Sequence, residues 1–350
     1  MDKNNYFEQR NSNNIIKMRK IRAELPTFAN EFFRGIENQT TILTRLNYAY
    51  DLRIFFDFLI NELLEFKGVD NFTVKDLARV TTDHIEMFME HLNYYKFKGR
   101  TYQNGDNAKA RKLSSVRSFF RYYYNNNSLP YDVASKVSLP RIYDKEIVRL
   151  EVDEVVKFLD EVEAGDTLTE RQKFYHEKTK LRDLAMMSLF LGTGIRISEC
   201  VGLNIDDLDF AVNGFRVTRK GGNRAILYYS DEVADVLREY LDYRKAMECV
   251  GPSEKALFLS LQNKRISVRS VQMLVKKYSE LVTPLKNITP HKLRSTYGTN
   301  LYRETKDIYV VADVLGHKDV NTTKRHYAAI SDDIRRSAAR KVKLRDNEDK

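Results

Sequence analysis

The stretch Leu315-Gly316-His317-Lys318-Asp319-Val320-Asn321-Thr322-Thr323-Lys324-Arg325-His326-Tyr327 sets a histidine ten positions before a tyrosine. Gly316 marks a turn after the apolar run from Ile308 to Leu315, and Asn321 or Thr322 is placed to cap a helix carrying Tyr327. His326 then points away from Tyr327 on that helix. Upstream lie Arg196, Lys220, His291 and Arg294, which complete a set of parts for moving a phosphodiester onto a tyrosine. The pentacoordinate transition state of such a transfer gains charge on its non-bridging oxygens. Fixed guanidinium and imidazole donors stabilise that charge without a metal. The tyrosine hydroxyl is a weak nucleophile at neutral pH and needs this help.

Each upstream motif has a local reading. In Thr289-Pro290-His291-Lys292-Leu293-Arg294, Thr289 suits an N-cap and Pro290 a first helical position. His291 and Arg294 then share a face of the first turn, where free N–H groups and the helix dipole attract anions. In Leu191-Gly192-Thr193-Gly194-Ile195-Arg196-Ile197-Ser198-Glu199-Cys200, the glycines tighten a turn into a short helix with Arg196 near its start. Glu199, three residues on, is placed to hold Arg196 or a neighbouring group by a charge-assisted bond. The Gly-Thr-Gly run lacks the Gly-Lys-Ser/Thr ending of a P-loop and the third glycine of a dinucleotide fingerprint. Lys220 stands beside Gly221-Gly222-Asn223, a hairpin turn signal between alternating runs that extend from Phe215 to Tyr229. A lysine there serves solubility, or enters a DNA groove and protonates a leaving oxygen. A metal site from His291, His317 and His326 has no carboxylate or cysteine spacing behind it, so no metal is expected.

The chain has 350 residues, net charge +10 and pI near 9.3, which favours two domains and a polyanionic partner, nucleic acid first. Cys200 and Cys249 offer neither a disulfide framework nor zinc spacing, so a reducing compartment is expected. No apolar run is long enough to span a bilayer; Phe55 to Ile60 is short and broken by Asp57.

Residues 1–22 are polar and read as a flexible arm. Helical periodicity follows over Thr41–Leu64, Asp83–Leu92 and Asn107–Tyr124, the last with Leu113, Val116, Phe120 and Tyr123 on its core side. The region therefore reads as an all-helical bundle over 23–138. Between Lys96 and Arg121 it carries eight basic residues opposed by Asp106 alone. Of these, Lys109, Arg111, Lys112, Arg117 and Arg121, with Ser114, are candidate DNA contacts. Residues 139–149, around Pro140, read as a linker. A second domain over 150–330 begins with Val152, Val155, Val156 and Leu159 as an apolar helix face. Ala164 to Lys180 is polar and reads as a loop or insertion. The rest is mostly helix, including one from Asp231 with Val233, Val236, Leu237, Tyr240 and Leu241 inward.

The chain resembles the tyrosine recombinase, or phage-integrase, family. The resemblance rests on Gly194-Ile195-Arg196-Ile197-Ser198-Glu199, Lys220, His291-Lys292-Leu293-Arg294, Leu315-Gly316-His317 and Tyr327, and covers roughly residues 25–345. It implies a mainly α chain: a SAM-like core-binding helical bundle, then a mostly helical α+β catalytic domain with a small antiparallel sheet. It implies that Tyr327 attacks a DNA phosphate to give a 3′-phosphotyrosine and a free 5′-hydroxyl. Arg196, Arg294 and His317 would bind phosphate oxygens, Lys220 would protonate the departing oxygen, His291 would assist proton transfer, and Glu199 would support them. Neither ATP, metal nor other cofactor is implied. Partners would be double-stranded DNA bearing a specific site and three further subunits, of this protein or of a second recombinase, in the cytoplasm. A tail over 331–350, with Ile334, Ala338 and Val342 following Ile330 in a stripe, would dock on a neighbour. The short N-terminus leaves no room for a lambda-type arm-binding domain, so the chain looks Xer-like or like a simple mobile-element recombinase. The rivals are a type IB topoisomerase-like nicking-closing enzyme and a non-catalytic DNA-binding relative.

Overall fold

A cluster of thirty-two buried hydrophobic side chains among the described residues of the first unit sets the architecture there. The computed structural model describes residues 6–63, 65–66, 68–142, 148–219, 222–249, 253–316 and 319–320. It divides into two compact units, Met1–Lys145 and Glu146–Lys350. The chain is mainly α with small antiparallel sheets.

In the first unit, α1 (Tyr6–Arg22), α2 (Ala29–Gly35), α3 (Ile42–Asn61), α4 (Val74–Leu77) and α5 (Thr82–His91) precede the hairpin β1 (Tyr95–Phe97) and β2 (Arg100–Tyr102), and α6 (Asp106–Asn125) follows. Phe32, Phe55, Phe56, Phe88, Phe119 and Phe120 interlock mostly edge to face. That geometry adds to the area they bury. Tyr123 joins them and donates its hydroxyl to the Phe28 carbonyl at 2.7 Å. Thr41 caps α3 by accepting from the Thr44 N–H, and Thr81 does the same for α5 through the His84 N–H.

Two readings of this unit are corrected. Residues 6–22 form a helix rather than a flexible arm: Met18 and Ile21 are buried and α1 packs on α3, which offsets the polar remainder. The unit is also not all helix. The run Tyr95 to Tyr102 alternates over three residues on each side of Lys98-Gly99, and closes as a hairpin. Residues 1–5 and 143–147 lie outside the described residues.

In the second unit, α7 (Val152–Ala164), α8 (Glu170–His176), α9 (Lys180–Thr193) and α10 (Ile197–Gly202) lead to the sheet β3 (Leu208–Asp209), β4 (Gly214–Thr218) and β5 (Arg224–Tyr228). Helices α11 (Asp231–Lys245), α12 (Val268–Val282), α13 (Pro290–Thr305) and α14 (Ile308–Leu315) complete it. Helix α9 is buried along nearly its whole length and packs against α7, α11 and α13. It is the axis on which the site is hung. The sheet order is β3-β4-β5, with Val217 opposite Ala225 and Thr218 opposite Arg224.

Here too the structure corrects the sequence reading. The 164–180 segment is not plain loop: α8 lies in it, with Thr169 and Gln172 bonded at its start. His176 at its end is buried and donates Nε2–H to the Val162 carbonyl at 2.8 Å. The inward face of α7 is also rotated. Val152 and Val156 are exposed, while Phe158 and Val162 are buried, because the larger phenyl removes more apolar surface from water.

One buried polar group fixes how α9 meets α12. Asp183, with no exposed surface, accepts from Arg182 Nε at 2.9 Å and Nη2 at 2.6 Å, from Tyr278 Oη at 3.0 Å and from Thr179 Oγ1 at 3.2 Å. The Arg182 guanidinium reaches on to the Leu259 carbonyl at 2.7 Å. Removing the carboxylate strands a buried cation, which typically costs about 3–5 kcal/mol. Asp183→Ala should therefore lower the thermal midpoint of this unit by roughly 10 °C. A calorimetric scan in which it melts with the wild type would refute this account of the network.

Candidate functional site

Helix α9 ends at Gly194, whose backbone is left-handed at φ 62° and ψ 25°. A Cβ there would meet Leu315 Cδ2 at 2.8 Å, so glycine is required by both conformation and space. The turn it makes delivers Arg196 to the N-cap position of α10. Glu199, almost fully buried, accepts from Arg196 N and from Arg196 Nη1, each at 3.0 Å. One carboxylate thus fixes both the backbone and the guanidinium of the same arginine.

Arg294 comes from the first turn of α13. Thr289 holds the N-cap backbone geometry and Pro290 the first helical position, but Thr289 makes no side-chain cap bond. Arg294 is 5% exposed and donates to the carbonyls of Gly194 and Leu315. Arg196 Nη2 donates to the Leu315 carbonyl at 3.1 Å and to that of Gly316 at 3.0 Å. Two arginines ninety-eight positions apart in sequence therefore share one carbonyl oxygen at the end of α14. His291 is exposed on the same first turn as Arg294.

A third arginine, absent from the sequence reading, joins them. Arg219 follows β4 and donates Nη2–H to the Val314 carbonyl at 3.1 Å. A Cβ at Gly316, left-handed at φ 60°, would fall inside its guanidinium. An arginine at a strand end beside a turn carries no pattern of its own; the signal that could have found it is its adjacency to Lys220. The helix C-terminus is the negative end of its dipole, which suits a cluster of guanidiniums. Three guanidiniums meet there, and Glu199 is bonded to one of them, Arg196. Fixed positive donors in that arrangement suit an anion.

The sequence-predicted residues thus divide. Arg196, Glu199 and Arg294 are brought together, with His291 on the turn that holds Arg294. Lys220, His317 and Tyr327 lie outside the described residues, although the chain on either side reaches the cluster at Arg219 and Gly316. The 321/322 cap, His326 and the 331–350 tail also lie outside them.

A model of the phage integrase family matches residues 149–333, the span that contains Arg196, Glu199, Lys220, His291, Arg294, His317 and Tyr327. The chain belongs to the phage integrase family. Its relatives include the tyrosine recombinase XerC of Caldanaerobacter subterraneus subsp. tengcongensis, 32% identical over 302 residues, covering 85% of this chain and 80% of that one. XerD of Corynebacterium glutamicum is 30% identical, over 86% of this chain and 92% of its own. XerS of Streptococcus uberis is 29% identical, over 91% and 96%. The fold is shared with the crystal structure of XerH bound to its palindromic difH substrate: TM-score 0.61, 18% identity, 86% of this chain and 80% of that chain. This phage integrase family member is a tyrosine-type, Xer-like site-specific recombinase, and the nicking-closing alternative is not favoured.

In this recombinase the candidate DNA contacts of α6 are of two kinds. Lys112 is buried and donates to Asn104 Oδ1 at 2.9 Å, and burial lowers its pKa. Arg117 is spent on the carbonyls of Ala134 and Val137, and Ser114 bonds back to the Ala110 carbonyl at 2.8 Å. Lys112 and Arg117 therefore hold the fold together rather than present a surface. Arg111 and Arg121 are exposed and Lys109 partly so. For the catalytic unit, Arg219→Ala should slow strand cleavage roughly 10- to 100-fold by loosening the turn at Gly316. DNA affinity should be unchanged. Single-turnover cleavage at the wild-type rate would show that Arg219 positions nothing.

Proposed function

We propose that this recombinase cuts and rejoins double-stranded DNA at a specific site through Tyr327. The phenolic oxygen attacks the phosphorus, the bond to the 5′-oxygen breaks, and a 3′-phosphotyrosine forms. Arg196, Arg294 and His317 hold the non-bridging oxygens, Lys220 gives a proton to the departing 5′-oxygen, and His291 takes the proton from the tyrosine. The energy of the broken ester is kept in the new one. A 5′-hydroxyl from the other duplex can then attack, exchanging strands through a Holliday junction.

The observation that carries this reading is the meeting of Arg196 and Arg294 on the Leu315 carbonyl. That carbonyl lies two residues before His317, and Arg219, next to Lys220, bonds to the residue before it. Two guanidiniums from positions ninety-eight residues apart, fixed side by side, are what a phosphate in transfer needs. The XerH structure described above was solved on its difH DNA, which supports duplex DNA as the partner here. The working assembly is a tetramer of this chain, or of this chain with a second recombinase, acting in the cytoplasm. Lys109, Arg111 and Arg121 contribute phosphate contacts from the first unit, and the 331–350 tail joins neighbouring subunits.

Covalent trapping tests the reaction. The full chain is incubated, without metal, with nicked duplexes from which the cleaved strand diffuses away, and run on a denaturing gel. A protein–DNA adduct is expected. Its absence on a duplex that the protein demonstrably binds would overturn the reading.

A further inference from the structure

The ribbon formed by β1 and β2 has no part in the chemistry above. Its eight residues, Tyr95-Lys96-Phe97-Lys98-Gly99-Arg100-Thr101-Tyr102, include three cations and no acid. Lys98 and Gly99 both have positive φ, 48° and 73°, the signature of the tight turn whose twist matches the strands it joins. Tyr95 pairs with Tyr102, Lys96 with Thr101 and Phe97 with Arg100.

The inward side of the ribbon is anchored. Tyr95 and Phe97 are buried, and the Tyr95 ring stacks on Tyr102 at 5.4 Å. The Arg53 guanidinium lies 4.9 Å over the Phe97 ring. Glu24 accepts from Lys98 Nζ at 2.6 Å and from Arg53 Nη1 at 3.2 Å, so the turn itself is tied down. The ribbon is therefore a rigid projection and not a loose loop.

The ribbon exposes a cation on each face. Lys96 and Thr101 lie on the outward face, and Arg100 and Tyr102, opposite Phe97 and Tyr95, are exposed at the open edge of the other. Glu24 matches the charge of Lys98, but Lys96 and Arg100 have no ion-pair partner among the described residues. The chain leads from the ribbon to α6, where Lys112 donates to Asn104, two residues past β2, and the exposed Arg111 is tethered to the buried Asp51. A lysine on an edge strand also discourages aggregation. That role needs neither a second unpaired cation nor a turn fixed by its own ion pair.

We infer that the β1–β2 ribbon is a further duplex-DNA contact of this recombinase, in which Lys96 and Arg100, one on each face of the ribbon, each hold a backbone phosphate. A two-stranded ribbon is narrow enough to lie along a major groove of about 12 Å. Phosphate contacts of this kind set affinity and register and carry no base readout. The inference rests on the recombinase reading for its choice of partner.

The test uses the full chain carrying Lys96→Ala with Arg100→Ala, and a labelled duplex of arbitrary sequence titrated at several salt concentrations. A charge-matched control carries Lys157→Ala with Lys173→Ala, two exposed lysines of the other unit. The ribbon variant should bind roughly tenfold more weakly near physiological salt, and its log–log salt slope should shrink by about 1.8. Its thermal midpoint and the control's affinity should stay at wild-type values. Unchanged affinity and slope overturn the inference, as does an equal loss in the control. Unchanged single-molecule binding with lost cooperativity also overturns it, and assigns the ribbon to a neighbouring protein subunit. Adduct formation by the wild type is read separately. Its failure would sink the phosphotyrosine reading while leaving the ribbon result standing, and the reverse holds equally.

Discussion

Tyr327→Phe should bind its DNA site with wild-type affinity and form no covalent adduct. The substitution removes one oxygen and keeps the ring, so packing and charge are nearly unchanged. What disappears is the only atom the proposed chemistry uses to attack phosphorus. Arginines and histidines that stabilise a transition state have nothing to stabilise once the nucleophile is gone, so residual activity should fall by at least about 10⁴-fold. The comparison is made on the nicked duplex by denaturing gel, with binding followed in parallel. An adduct that persists in the variant would place the nucleophile elsewhere among the chain's 21 tyrosines. Loss of binding together with the adduct would mean that Tyr327 serves the fold instead.

Arg294→Ala should reduce the cleavage rate by about 10³-fold while changing DNA affinity little, since a donor aimed at developing charge acts on the transition state more than on the bound substrate. Part of the loss is structural. Without the guanidinium, the carbonyls of Gly194 and Leu315 lose a buried donor, at about 1–3 kcal/mol. Arg294→Lys separates the two effects. An ammonium keeps the charge but cannot bridge both carbonyls and a phosphate as a planar fork does. Lysine should therefore recover stability better than rate. Single-turnover cleavage of Arg294→Ala within tenfold of wild type would remove Arg294 from the phosphate site.

The helices that carry the cores were legible because their apolar side chains recur at helical spacing: α3, α5, α6 and α11 all follow that pattern. Helix α1 was not, because its polar sequence buries only Met18 and Ile21. Helix α8 was hidden for the same reason, with capping and His176 in place of an apolar stripe. The β1–β2 hairpin was masked by its lysines and arginine, although Lys98-Gly99 was a turn signal in plain view. Within the site, Arg196, Glu199 and Arg294 were readable as types at intervals. Their meeting point was not, since a backbone carbonyl at Leu315 has no letter in a sequence. The same blindness made Lys112 and Arg117 look like surface charges, when one is buried and the other is bound to carbonyls.

The acceptors at the end of α14 belong to the main chain, and this bears on how the protein can evolve. The arginines are registered on the carbonyls of Val314, Leu315 and Gly316, groups that every residue supplies. Side-chain drift at the half-exposed Val314 leaves those acceptors in place. Only the glycines, which set the path of the chain, are irreplaceable. A lineage of such proteins can thus vary its surface next to the arginine cluster without first re-deriving the cluster's geometry.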